Sequence, residues 1–371
     1  MINLSSGVDE PVWPLEEHTK AKHEILRYYL GGWFPILASR SGRIVYIDGF
    51  AGPGVYLGGE DGSPVIALKT AIEHILKPSS KSEIQFLFIE NDKRREKILK
   101  EVLEKTFSKL PDRIKYQVVG DEFETTLSQL FEQLDKTGKT LAPTFAFVDP
   151  FGFSGFPMNL IKKLCSYDKC EVLITFMAGF VHRFLDELRE PALDSLYGIP
   201  EWRAIREVDG SKIPPLLNLY EKQLRDVCGA NYTRSFEMKG AQNQVIYYMI
   251  FATKHWLGLK QMKEAMWNVD RRGQYTFSDR LGSTQKFLTD YQEEEAWVPR
   301  AATEVYNKFR KQRVSIPEIE KYVITETEFI FRKPILSYIE NNIDSAILDV
   351  IVPGRQRKKG SFPNDSIVHF N

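Results

Sequence analysis

Short apolar runs alternate with amphipathic stretches from residue 44 to residue 177. The runs Ile44–Asp48, Ile84–Ile89, Ile114–Val119, Thr144–Val148 and Glu171–Met177 lack in/out alternation. Strands covered on both faces read this way, because neither face must stay polar. Between them the pattern predicts helices over Val65–Leu76, Lys93–Phe107, Phe123–Thr137 and Leu160–Ser166. This β-α rhythm predicts a parallel sheet with right-handed crossovers. Ahead of it, Leu15, Ile25, Leu26, Tyr29 and Leu30 mark a helical face that Gly31-Gly32 is expected to end, with Trp33–Leu37 as a separate short helix. In that first helix each of His18, Lys20, Lys22 and His23 reads as part of a solvated face. Ser63 with Pro64 reads as the N-cap and first residue of the helix after strand one.

Beyond strand five the pattern changes. Residues 183–230 are polar and helical, interrupted by Pro191, Pro200 and Pro214-Pro215, and read as an insertion or lid. Asn231–Glu237 and Gln244–Thr253 predict an antiparallel hairpin, and His255–Val269 a further helix. A parallel sheet closed by such a hairpin is the layout of Rossmann-like methyltransferases. The polar stretch Arg271–Glu295 is the expected boundary, giving domains 1–295 and 296–371. In the tail, helices over Arg300–Lys311, Ile316–Val323 and Lys333–Asn341 precede Ala346–Val352, a basic turn and Ile367–Phe370. Three helices and a basic hairpin suggest a winged helix-turn-helix.

Composition narrows this picture. The chain has 371 residues, 50 Lys+Arg against 50 Asp+Glu, so any nucleic-acid surface must be a local patch. Three cysteines without a C-x-x-C argue against a disulfide framework or a self-contained zinc site, and no metal ligand set is expected. No apolar stretch reaches the length of a membrane span, and no secretory signal opens the chain, so a cytoplasmic protein is expected.

The candidate chemistry lies at the strand ends. Strand one runs into Asp48-Gly49-Phe50-Ala51-Gly52-Pro53-Gly54, a turn able to hold a pyrophosphate or the amino-acid part of S-adenosylmethionine (SAM). The following helix starts late, which weakens the dinucleotide reading. Glu90 ends strand two, where a carboxylate can accept from ribose hydroxyls; Asn91 and Asp92 read as helix-capping residues or as part of the same site. Asp121 and Glu122 end strand three as candidate cofactor residues; Asp121 reads as a partner for an adenine amino group or as a helix cap. Asp149-Pro150-Phe151-Gly152 ends strand four and resembles the Asp-Pro-Pro-Tyr motif of amino-group methyltransferases. There an acid and a Pro carbonyl accept hydrogens from the target amine and an aromatic ring stacks on the base. The ring is one place early here. Arg355, Arg357, Lys358 and Lys359 in the basic turn are candidate phosphate contacts or a solvated loop.

With these residues in hand, the chain resembles the three-Cys-motif partner (TcmP) family. The resemblance rests on His-Thr-Lys-x-Lys-His from His18, Asp-Gly-Phe-Ala-Gly-Pro-Gly from Asp48, Gly-Ser-Pro from Gly62, Phe-Ile-Glu at Glu90, Phe-Val-Asp-Pro-Phe-Gly at Asp149, and Ile-Phe-Ala-Thr-x-His-x-x-Gly-Leu through Thr253. It implies a SAM-binding, methyltransferase-like Rossmann domain, a winged-helix module, and a partner that carries a three-cysteine motif and is radical-SAM-like. Two function classes follow: a methyltransferase acting on an amino group of nucleic acid, and a non-catalytic module that binds SAM, nucleic acid or the partner. A nicotinamide-dependent oxidoreductase is a weaker third.

Overall fold

The computed structural model describes residues 10–75, 82–271, 273–279 and 297–371. Most of the expected boundary stretch, Arg271–Glu295, lies outside the described residues. Two compact units divide the chain: residues 1–265 with 277–280, and residues 266–276 with 281–371.

The first unit begins with α1 (Glu17–Ala38), one uninterrupted helix. Gly31-Gly32 does not end it, contrary to the expectation. Ile25, Leu26, Tyr29, Leu30, Trp33 and Phe34 are all buried along one face, and that burial outweighs the roughly 1 kcal/mol helix cost of each glycine. Then come β1 (Arg43–Asp48), α2 (Ser63–Ile75), β2 (Glu83–Ile89), α3 (Lys93–Thr106), β3 (Ile114–Val119), α4 (Phe123–Thr137), β4 (Thr144–Val148), α5 (Met158–Ser166) and β5 (Cys170–Phe176). Ser63 is the first residue of α2 and not a residue outside it.

β1 pairs in parallel with β2 and β4, β2 with β3, and β4 with β5. The hairpin β6 (Tyr232–Lys239) and β7 (Val245–Thr253) joins through β7, antiparallel to β5. A short edge strand β8 (Thr276–Ser278), unforeseen in the polar stretch, completes the order β3-β2-β1-β4-β5-β7-β6-β8. The first seven positions are the topology of Rossmann-like methyltransferases. The five parallel strands all end on one carboxyl edge, the edge at which open α/β sheets carry their ligand crevice.

Between β5 and β6 lie α6 (Ala178–Arg183), α7 (Glu190–Tyr197), a 3₁₀ segment Pro200–Glu207 and α8 (Ile213–Asp226). They are not a polar flap. Leu193, Tyr197, Trp202, Leu216, Tyr220 and Leu224 pack into the same core as β4 and β5, which makes this segment a structural layer. α9 (Trp256–Val269) follows β7. Cys165, Cys170 and Cys228 are buried thiols.

The second unit holds α10 (Val298–Phe309), β9 (Arg313–Ser315), α11 (Ile316–Glu326), α12 (Pro334–Asn342), β10 (Ile347–Ile351) and β11 (Ile367–Phe370). The strands form an antiparallel sheet in the order β10-β11-β9. Ser315 and Glu318 close a reciprocal capping box at the start of α11. Among the described residues no helix is long and apolar enough to cross a membrane.

Candidate functional site

The strand-one turn is stitched to the strands on both sides. Gly49 N–H donates to the Phe147 carbonyl of β4 at 2.9 Å, and Ala51 N–H to the Ile89 carbonyl of β2 at 2.9 Å. Gly52 N–H donates to Glu90 Oε2 at 2.8 Å. Gly52 and Gly54 sit at φ +61° and +76°, the left-handed region that disfavours a side chain. Gly62 comes back against the turn so closely that a Cβ there would lie 2.8 Å from the Gly54 carbonyl carbon.

Glu90 is buried, and its second oxygen accepts from Asp92 N–H at 2.9 Å. Burial raises its pKa, and the two backbone donors partly oppose that rise. It thereby braces the turn, with one further lone pair left on each oxygen. Asp92 caps α3 through Arg94 and Arg95 N–H, while Asn91 is exposed beside it. Asp121 and Glu122 lie at the end of β3. The N-cap position of α4 belongs to Glu122, whose side chain makes no capping bond, so the capping alternative for Asp121 is not realised.

Asp48 is fully buried. Its Oδ2 accepts from the Tyr46 hydroxyl at 3.4 Å, and its Oδ1 has no hydrogen-bond partner. Burial pushes its pKa up to about 7, with the Asp149 charge adding to the rise and the Ser63 hydroxyl, Phe50 backbone and Tyr46 hydroxyl working against it.

Asp149 does not face solvent alone. Lys22 of α1 donates to its Oδ2 at 2.5 Å. Lys22 is only 7% exposed, and its ammonium also lies 5.3 Å from the centre of the Tyr247 ring. His23 is buried next to it, and desolvation together with the Lys22 charge depresses its pKa to about 3, which keeps it neutral. Tyr56 of the strand-one loop meets His23 Nε2 at 3.5 Å. His18 bonds Asp279 at 2.8 Å and Glu16 at 2.9 Å. Burial opposes its protonation, but these carboxylates outweigh burial and raise its pKa. The expectation of a solvated face is therefore wrong for His18, Lys22 and His23. All three are turned inward: Lys22 onto the end of β4 and His18 onto Asp279, 127 and 261 residues away in sequence, and His23 onto Tyr56 of the strand-one loop.

Phe151 is 68% exposed and meets Trp13 edge-on at 5.3 Å, with the Arg95 guanidinium over both rings. Trp13 lies across the glycine turn: its ring is 3.8 Å from where a Gly52 Cβ would stand. Pro150 is buried, and the Phe50 ring lies tilted against Phe123 with centroids 5.6 Å apart. Trp13, Tyr56 and Tyr247 carried no sequence signal. Among the described residues no cluster of three or more His, Cys, Asp or Glu has the proximity to hold a metal ion.

In the second unit the basic turn is largely self-paired. Arg357 bonds Glu340 and covers the Phe362 ring at 5.1 Å, and Arg355 bonds Asp365 at 2.9 Å. Lys358 and Lys359 are exposed.

No family model matches the chain, and no curated protein does. Among solved structures it is similar to Trm1 from Pyrococcus horikoshii in complex with S-adenosyl-L-methionine: 12% identity, TM-score 0.37, over 70% of this chain and 60% of that one. It is also similar to the O-methyltransferase from Bacillus cereus in complex with SAH: 10% identity, TM-score 0.34, over 62% of this chain and 80% of that one. The chain thus spans about 60% of the length of Trm1.

Proposed function

We propose that the chain is a SAM-dependent methyltransferase of the TcmP type, acting on an amino group of nucleic acid together with a three-cysteine-motif partner. One observation carries the reading. The carboxyl edge brings together a glycine turn, the Glu90 carboxylate bonded to it, and the Asp149 motif of β4. The residues fit the cofactor at one further point. Asp48 Oδ1 is a buried acceptor without a donor, and an ammonium group such as that of SAM supplies one.

When bound, SAM supplies an electrophilic methyl group on a sulfonium. The chain's part is positioning. Gly52 and Gly54 let the backbone approach closely, and Glu90 holds the turn and offers its remaining lone pairs to ribose hydroxyls. Asp149 accepts from the acceptor amine and takes up its proton. Phe151, free on one face, stacks on the target base. Lys22 stands in the amine's place at Asp149 until a substrate displaces it or takes the second oxygen.

For the second unit we read a winged helix. Support comes from the element order and from a sheet in which the first strand pairs with the last. Lys358 and Lys359 are then its phosphate contacts, with Arg355 and Arg357 holding the loop's shape.

Trp13 over Gly52 and the Lys22–Asp149 pair favour a second reading, a non-catalytic binding module. Calorimetric titration with SAM and, separately, NAD tests the first reading. Micromolar SAM binding that Gly52→Trp abolishes is the expected result. With SAM bound, methyl transfer to a nucleic-acid library that Asp149→Ala abolishes without loss of SAM binding separates enzyme from module. Absence of SAM binding overturns both the cofactor and the activity.

A further inference from the structure

The first unit has a cavity of about 230 Å³ at the sheet's amino edge, away from the Asp149 site. It opens between the last turns of α1 and the first turns of α9, over the start of β5. Phe145 pairs with Glu171 across β4 and β5. The cavity floor therefore lies about 13 Å, or four strand residues, from Asp149.

Its floor is the buried Glu171 carboxylate, which already accepts three side-chain hydrogen bonds. Oε2 accepts from the Tyr29 hydroxyl at 2.6 Å and the Trp33 indole at 2.9 Å. Oε1 accepts from the Thr253 hydroxyl at 2.7 Å. Gly258 closes the remaining side, since a Cβ there would fall 1.9 Å from Oε1. Thr253, His255 and Gly258 belong to the Thr-x-His-x-x-Gly stretch, which the proposed chemistry leaves without a role. Glu171 thus ties α1, β5 and β7 together, with Gly258 of α9 packed against its free side, and is not offered to a ligand.

The walls and mouth differ in kind. Ile36, Leu37, Trp256 and Leu257 line the sides, and Ile36 and Leu257 are among the exposed large apolar residues. Arg40 and Lys169 stand at the same cavity, and neither has an acidic partner among the described residues. An apolar cleft with two such cations at its mouth fits a small amphipathic anion.

We infer that this cavity binds a compact apolar or aromatic body carrying one carboxylate or phosphate, its anion held by Arg40 and Lys169 and its body by Ile36, Leu37, Trp256 and Leu257. The inference is independent of the proposed methyl transfer.

Calorimetric titration of the full chain with 2-naphthoate, 2-naphthyl phosphate, the neutral 2-naphthamide and the cationic 2-naphthylmethylamine tests it. One or both anions are expected to bind with a dissociation constant of about a millimolar or tighter, the range for a fragment of this size. Which of the two binds more tightly assigns carboxylate or phosphate. The amide and the amine are expected to bind at least tenfold more weakly. Arg40→Gln with Lys169→Asn should bring the anion down to the amide's level; Asn suits Lys169, whose φ is +55°. Leu257→Trp, a change at an exposed rim position, should abolish binding of all four. Circular dichroism verifies that these surface variants keep their fold. Equal affinity for acid and amide, preference for the amine, indifference to the paired variant, or no binding of either anion each overturns the inference.

Discussion

Lys22 and Asp149, 127 positions apart in the chain, form a 2.5 Å ion pair between the first turns of α1 and the end of β4. Their side chains are 8% and 21% exposed. Removing one partner strands the other in a partly dry site. Lys22→Met is expected to cost about 3 kcal/mol, the low end for a buried pair. The double variant Lys22→Met with Asp149→Leu should recover most of that loss. Denaturant unfolding of the four proteins in a double-mutant cycle measures the coupling, and additive losses would show that the pair contributes none.

Asp48 and His23 tilt stability in opposite directions with pH. Asp48 has a folded pKa of about 7, above its ordinary value near 4, so its contribution is full below pH 4 and is lost as pH rises to 7. His23 has a folded pKa of about 3, below its ordinary value near 6.5, so its contribution is full above pH 6.5 and is lost as pH falls toward 3. Between pH 4 and 6.5 the two slopes offset each other, at about 1.4 kcal/mol per pH unit each. Asp48→Asn should therefore make stability rise with pH over this window, and His23→Gln should make it fall. Urea midpoints at pH 4.5, 5.5 and 6.5 read both signs; parallel profiles for the variants and the parent would refute them.

Gly31 and Gly62 are expected to respond oppositely to alanine. Gly31 lies inside α1 with nothing within 4 Å of where a Cβ would stand, so Gly31→Ala should stabilise by about 0.5–1 kcal/mol through helix propensity. Gly62→Ala drives a methyl group into the Gly54 backbone and should both destabilise the chain and weaken SAM binding at least tenfold. Thermal melts with and without SAM distinguish the two effects.

The basic turn of the second unit is expected to divide by function. On the proposed nucleic-acid reading, Lys358→Ala with Lys359→Ala should weaken binding and flatten its log–log salt dependence by about 2, the change expected for two phosphate contacts. Arg357→Ala should instead loosen the unit, because Glu340 and the Phe362 ring lose their partner. Fluorescence anisotropy at several salt concentrations, beside a thermal melt, separates the roles.

Much of the architecture is legible in the sequence because local pattern and burial agree. β3, β4 and β11 begin and end where the apolar runs do, and α4 where the amphipathic pattern does. β8 and β9, three residues each, are too short to show a period. α1 reads as two pieces because Gly31-Gly32 is locally a stop signal, while the burial that overrides it is tertiary. The glycine turn and the acidic strand ends stand out, since a strand ending in Gly or Asp is a local feature. The inward turn of Lys22 and His23 does not: a helix bearing alternating charges looks solvated until the sheet behind it is known. Likewise nothing near Arg357 in sequence announces Glu340.

α1 works as a single rod pinned at both ends. Lys22 fastens it at the carboxyl edge, and Tyr29 and Trp33 fasten it to Glu171 at the amino edge. These anchors lie seven and eleven residues from Lys22, about 10 and 16 Å along the helix axis. Between Lys22 and Tyr29 the helix holds neither Gly nor Pro, so this stretch moves as one piece and offers no point at which to let go of Asp149 alone. Whatever withdraws the ammonium by sliding or tilting the rod also tugs on the hydroxyl and indole at the far end, and a side chain swinging free by itself is the sole movement that leaves the other anchor undisturbed.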